Sequence, residues 1–167
     1  MIVRWASGLA LLTTAAAVGA ASPSGQPPAV PFPDGYRSWQ VVKSMVVGPE
    51  HRTFARRGGM HHYYANAQAV EGYRAGTFPN GSVIVVEVLL TKDGEGDAKG
   101  ILLEGDRRFV EVMTKNDRLY ADTSGWGFER FEADDTAGRL AATERAQCHQ
   151  CHSKRKDRDL VFTTLKP

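Results

Sequence analysis

Ser82-Val83-Ile84-Val85-Val86-Glu87-Val88-Leu89-Leu90 sets the fold class. Five of these nine residues are β-branched, and Gly81 and the Gly- and Asp-rich segment Asp93 to Asp97 bound the run. Branching at Cβ restricts χ1 and suits a pleated, buried surface, so the stretch reads as a buried strand. Downstream of the Asp93–Asp97 turn, Ile101–Leu103, Phe109–Thr114 and Gly125–Phe131 read as three further strands in meander order. Upstream, Met60-His61-His62-Tyr63-Tyr64 is β-prone, and Asn66 opens a short helix through Tyr73 with Gly76 as its stop. Before that, Asp34 caps an expected helix carrying Tyr36, Trp39, Val42 and Val46, ended by Gly48-Pro49. Arg52 to Gly59 reads as a basic loop. Thr136 to Ala146 reads as a helix leading into Cys148. The pattern predicts an α+β fold: a mainly antiparallel β-sheet with flanking helices and a C-terminal helix that feeds the cysteine pair.

The first residues do not belong to that fold. Arg4 gives a short positive region, Ala6 to Val18 is apolar, and Val18-Gly19-Ala20 offers the small residues a signal peptidase reads. The apolar run is shorter than the roughly 20 residues that span a bilayer. Residues 1–20 are therefore expected to be an export signal and the protein periplasmic. Residues 21–33 follow as a Pro-rich linker, with five prolines between Pro23 and Pro33, a density no helix or central strand tolerates. The domain is expected over residues 34–167, about 130 residues, enough for one modest core. Without the leader, 20 basic residues face 19 acidic ones, so the charge balance speaks against a nucleic-acid partner.

Chemistry concentrates in Cys148-His149-Gln150-Cys151-His152, which contains the only two cysteines. Cys-x-x-Cys-His is the attachment signature of a c-type haem. Two thiols must add to two vinyl groups on one porphyrin edge, which fixes their separation within about one helical turn. The adjacent histidine then supplies the proximal iron ligand. One haem c on Cys148 and Cys151, with His152 on the iron, is the expectation. A redox dithiol, a zinc site that adds His149, and a simple disulfide stand as alternatives.

What such a haem does depends on its sixth position. A Met or His there makes an electron-transfer cytochrome, and an open iron binds small molecules. Candidate sixth ligands are Met45, Met60, His61, His62 and Met113. His61 and His62 are neighbours in a strand, so only one of them faces inward. Glu144 reads as a solvated helix residue or a proton relay, and Arg139 and Arg145 as partners for haem propionates. Lys154-Arg155-Lys156 reads as solvated surface or as a dock for an acidic redox partner.

Several stretches taken in order resemble the cytochrome P-460 family: Tyr36-Arg37-Ser38-Trp39, His62-Tyr63-Tyr64-Ala65-Asn66, Tyr73-Arg74-Ala75-Gly76, Phe78-Pro79-Asn80-Gly81-Ser82-Val83-Ile84-Val85, Val112-Met113, Gly125-Trp126-Gly127-Phe128, Cys148 to His152, and Asp159-Leu160-Val161-Phe162-Thr163. The resemblance implies a mainly antiparallel β fold with flanking helices, a homodimer, and one c-type haem with an open distal side. Members whose porphyrin is cross-linked to a lysine oxidise hydroxylamine. Relatives without the cross-link, the cytochromes c-prime-beta, bind nitric oxide and carbon monoxide in an apolar pocket. Cross-linked members carry Lys-Glu in the strand after the Gly81 position. Here Val86 precedes Glu87, so valine stands where the lysine is expected, and Lys92 is six residues further on. The resemblance with this departure implies binding of nitric oxide or a related small nitrogen species rather than hydroxylamine oxidation. A periplasmic electron-transfer role with a Met or His sixth ligand, and an oxidoreductase acting on hydroxylamine or nitric oxide, are the alternatives.

Overall fold

The computed structural model describes residues 28–138 and 140–165. Five strands form one antiparallel sheet in the order in which the chain makes them. They are β1 (Gln40–Val47), β2 (Gly59–Ala65), β3 (Val83–Asp93), β4 (Leu102–Lys115) and β5 (Trp126–Glu132). Helix α1 (Phe54–Arg57) joins β1 to β2, α2 (Ala67–Ala75) joins β2 to β3, and α3 (Ala142–His152) follows β5. The expected mainly antiparallel α+β architecture is what the chain adopts. Among the described residues, no helix is long and apolar enough to cross a membrane. The expected export signal lies outside the described residues.

The run that sets the fold class is the central strand, hydrogen-bonded to β2 on one side and β4 on the other. Alternation divides its side chains between two cores. Ile84 packs with Val42, Ala65, Phe78, Trp126, Phe128 and Leu160, and Cys148 leans on this cluster. Val85 packs on the opposite face with Tyr36, Tyr64, Val110, Val112 and Phe131. Val30 and Phe32, within the stretch read as linker, also pack there, Phe32 edge-on to Phe131 at 5.1 Å.

Three elements differ from the sequence reading. The helix expected from Asp34 is a single 3-10 turn, Tyr36–Ser38, followed by β1. Tyr36, Trp39, Val42 and Val46 fit a helical spacing, but a register shift at Val42 imitates it, and paired β-branched valines favour the sheet edge. The strands expected at 101–103 and 109–114 are one strand, β4. Its polar middle, Glu104 to Arg108, stays extended because it pairs with β3 through two register shifts. Helix α3 starts at Ala142 and runs to His152, rather than spanning Thr136 to Ala146. Before it, buried Glu129 accepts the Leu140 N–H at 2.9 Å and holds the chain in an irregular course. Helix α2 is as read. The Asn66 side chain accepts the Ala69 N–H at 2.9 Å, and Gly76 closes the helix with φ 81°, where glycine carries no Cβ penalty.

Candidate functional site

Because α3 extends through the motif, Cys148, Cys151 and His152 share one helix. Spacings of three and four residues from Cys148 bring all three side chains to one side of it. Both cysteines are free thiols, Cys148 half-buried and Cys151 exposed. Burial, with Glu111 and the other thiol nearby, pushes the Cys148 thiol above its ordinary value. Among the described residues, no three His, Cys, Asp or Glu side chains converge on a metal cluster. His149 is turned to hydroxyls, with Nε2 3.3 Å from the Oγ atoms of Ser124 and Ser153.

His152 is held differently. Its Nδ1 lies 2.8 Å from the backbone carbonyl of Leu160. A carbonyl only accepts, so Nδ1 carries the proton and Nε2 keeps its lone pair. Burial holds the imidazole below its ordinary pKa, which favours the neutral, ligating form. Phe128 and Phe162 flank the ring at 5.2 and 5.0 Å. A half-buried neutral imidazole of fixed tautomer, beside two free thiols on one helix turn, fits a covalently held haem by the chemistry of its donors.

The sheet face beside the motif is defined by cross-strand pairs. Tyr63, Val86, Glu111 and Arg130 form one row across β2 to β5, continued by Lys43 of β1. Met45, His61, Val88 and Phe109 form the row beside it, and Ala65, Ile84, Met113 and Phe128 the row on the other side. Arg57 of α1 reaches over this face to Glu111, at 2.8 and 2.6 Å from its two oxygens. Cys148 packs on the Ile84–Phe128 cluster and the His152 ring lies 5.2 Å from Phe128, which ties the motif to this face. Val86 is half-buried there between Tyr63 and Glu111. Lys92 cannot take its place. Six residues along a strand are about 20 Å, and its Nζ sits 3.4 Å from Asp106 on the β3–β4 arm.

The candidate sixth ligands separate by face. His62 lies on the far side, bonded to Ser44 and Glu104, both at 2.9 Å, and Met60 pairs with Leu89 on that side as well. His61, Met45 and Met113 are on the motif's face. His61 is fully buried, its Nε2 donates to the Arg57 carbonyl at 2.6 Å, and its Nδ1 has no hydrogen-bond partner among the described residues. Burial holds its pKa below the ordinary value.

Other sequence candidates are employed elsewhere. Glu144 is exposed and accepts the Ala141 N–H at 2.7 Å, capping its own helix. Arg145 is committed to buried Glu129 on the far face, which removes it as a propionate partner. Arg139 lies outside the described residues. The arginines that do stand on the motif's face, Arg57 and Arg130, lie far upstream and on a neighbouring strand, with no local spacing to mark them. A cavity of about 590 Å³ between Arg37, His62, Glu87, Glu104 and Arg107 opens on the far face, and its charges are largely paired among themselves.

An antiparallel meander ending in a helix that presents Cys-x-x-Cys-His, with a neutral histidine aimed for ligation, defines a protein of the c-type haem class. The chain belongs to the cytochrome P460 family, whose model matches residues 33–163. No curated protein matches the chain at significance.

Proposed function

We propose that this protein is an exported, periplasmic monohaem cytochrome whose haem c is held by Cys148 and Cys151, with His152 as proximal ligand, and that its open iron side binds nitric oxide or a related small nitrogen species. The observation that carries the ligation is the Leu160 carbonyl on His152 Nδ1, which leaves Nε2 for the iron. The observation that favours binding over hydroxylamine oxidation is Val86 in the row between Tyr63 and Glu111. A valine has no nucleophile for a porphyrin bond, and its methyl groups favour a neutral diatomic over charged or strongly hydrated substrates. When bound, the haem supplies an iron with one exchangeable position. The chain's own part is to hold the imidazole, to present the half-buried Val86 and Met113 side chains on the sheet face, and to place the Arg57–Glu111 pair beside them.

A second reading, electron transfer, is favoured by His61 on the same face, whose buried Nδ1 has no hydrogen-bond partner among the described residues. Absorption spectra of the purified protein, oxidised and reduced, with and without nitric oxide, separate the two. The proposal expects a five-coordinate ferrous haem that takes up nitric oxide. A low-spin six-coordinate ferrous spectrum without added ligand, lost in His61→Ala, would establish electron transfer instead. Intact-mass analysis tests attachment and export together, expecting one haem on a chain that starts at Ala21. The family resemblance also supports a homodimer, which sedimentation tests.

A further inference from the structure

The carbonyl that orients His152 belongs to a backbone corner with an unusual construction. Asp159 and Leu160 are consecutive non-glycine residues in left-handed backbone, with φ 46° and 67°. Aspartate tolerates that region; leucine does so only when its surroundings over-determine it. The surroundings here do. Asp159 Oδ2 accepts the Phe78 N–H at 2.9 Å, while Oδ1 accepts Trp126 Nε1–H and Lys115 Nζ, both at 3.2 Å. Lys115 is itself pinned by the Ser124 carbonyl at 3.1 Å. The Leu160 N–H donates to the Arg155 carbonyl at 2.9 Å, and the Leu160 side chain is buried in the motif-side core. One carboxylate thus gathers the segment after α2, the end of β4 and the start of β5 onto the residue next to the carbonyl that His152 uses.

We propose that Asp159 is a positioning residue for His152, acting through the Leu160 carbonyl to fix the imidazole's orientation and donor strength. This rests on the reading of His152 as the iron ligand. A carbonyl that takes the Nδ1 proton's hydrogen bond pushes electron density onto Nε2, which strengthens the iron–imidazole bond and favours the oxidised metal. Freeing the corner lets the ring rotate and weakens that donation. A carboxylate with a purely structural role would lower stability and leave the iron–histidine bond alone.

The test uses the haem-loaded protein and reads the ferrous iron–histidine stretching band by resonance Raman, together with the reduction potential. Asp159→Ala is expected to lower and broaden the band and to make the potential more positive. Asp159→Asn keeps one acceptor oxygen, enough for Phe78 or Trp126 but not both, and is expected to fall between wild type and Asp159→Ala in both readouts. Lys115→Met perturbs the same core but leaves the Phe78 and Trp126 bonds to Asp159, and should destabilise without moving the band. Should Asp159→Ala not accumulate, Asp159→Gly relieves the left-handed backbone while still deleting the carboxylate, and the same shifts are expected. A wild-type band and potential in Asp159→Ala or Asp159→Gly would overturn the proposal while leaving His152 as ligand intact. A wild-type protein without an iron–histidine band would instead overturn the ligation, and this inference with it.

Discussion

Replacing Glu87 with glutamine removes one charge from a strand that is buried on both faces, and the geometry around it sets the size of the effect. Glu87 is 1% exposed and accepts from Tyr36 Oη at 2.7 Å, from Arg37 Nε at 3.1 and 3.2 Å, and from Tyr64 Oη at 3.4 Å, with Arg107 Nε at 3.6 Å. Burial alone would raise its pKa. The Arg37 and Tyr36 hydrogen bonds outweigh burial and hold the carboxyl below its ordinary 4.5. Glutamine keeps the volume and one acceptor oxygen but loses the charge both arginines face, a cost of about 1–3 kcal/mol. Alanine also leaves the buried Tyr36 hydroxyl and the mostly buried Arg107 without their acceptor, at about 3–5 kcal/mol. Arg37→Ala costs less, about 1 kcal/mol, because its side chain is 59% exposed and Arg107 remains. The order is therefore Ala, then Gln, then Arg37→Ala, measured as urea midpoints by tryptophan fluorescence. The pH signature is specific. A carboxylate whose folded pKa is depressed stabilises above its unfolded value, and that stability is lost as pH falls through the folded pKa. Wild-type protein should lose stability below about pH 4.5, and Glu87→Gln should lose less over the same window. A Glu87→Gln protein within about 0.5 kcal/mol of wild type at neutral pH, with the same acid slope, would refute the reasoning.

His61 gives an acid sensitivity at higher pH. Its folded pKa is depressed by burial, so the unfolded chain binds the proton first and stability falls as pH drops below about 6.5. His61→Asn should flatten the urea midpoint between pH 7.5 and 5.5. Val86→Lys sets an ammonium between Tyr63 and Glu111, and should weaken nitric oxide binding about tenfold in spectral titrations by hydrating the apolar wall. Glu111→Gln releases Arg57 from its bidentate partner, and should cost about 1–2 kcal/mol of stability and shift the stretching frequency of bound carbon monoxide. Lys154 and Lys156 have no ion-pair partner among the described residues, whereas Arg155 and Arg158 share Asp157. Charge reversal at both lysines should slow oxidation of the ferrous protein by ferricyanide about tenfold at low salt, with the difference closing at high salt.

Local signals made one part of this protein readable from its sequence, and long-range contacts hid the other. Cys148, Cys151 and His152 stand within five residues, so their spacing alone points to the haem class, although the sequence pattern ends the helix that carries them at Ala146, before the motif. Asn66 and Gly76 are likewise local punctuation, and α2 begins and ends on them. By contrast, β1 was hidden by a register shift at Val42, because inserting one residue into an alternating pattern produces spacings of three and four. The partners of the site were hidden by distance along the chain. Arg57 and Glu111 are 54 residues apart, Arg37 and Glu87 are 50, and Phe78 and Asp159 are 81. No periodicity connects such residues; only the meander does. Strand β3 carries the clearest consequence. Adjacent residues point to opposite faces, so Val86 belongs to the wall beside the haem motif while Glu87 belongs to the ion network that straps the N-terminal segment behind it. A change of one residue in the β2–β3 register would exchange them, placing a second carboxylate beside Glu111 and a valine among two arginines and two tyrosines. Glu87 therefore fixes the register that places Val86. The ion network on the far face thereby keeps a valine, and not a second carboxylate, between Tyr63 and Glu111 on the face where ligand binding is proposed.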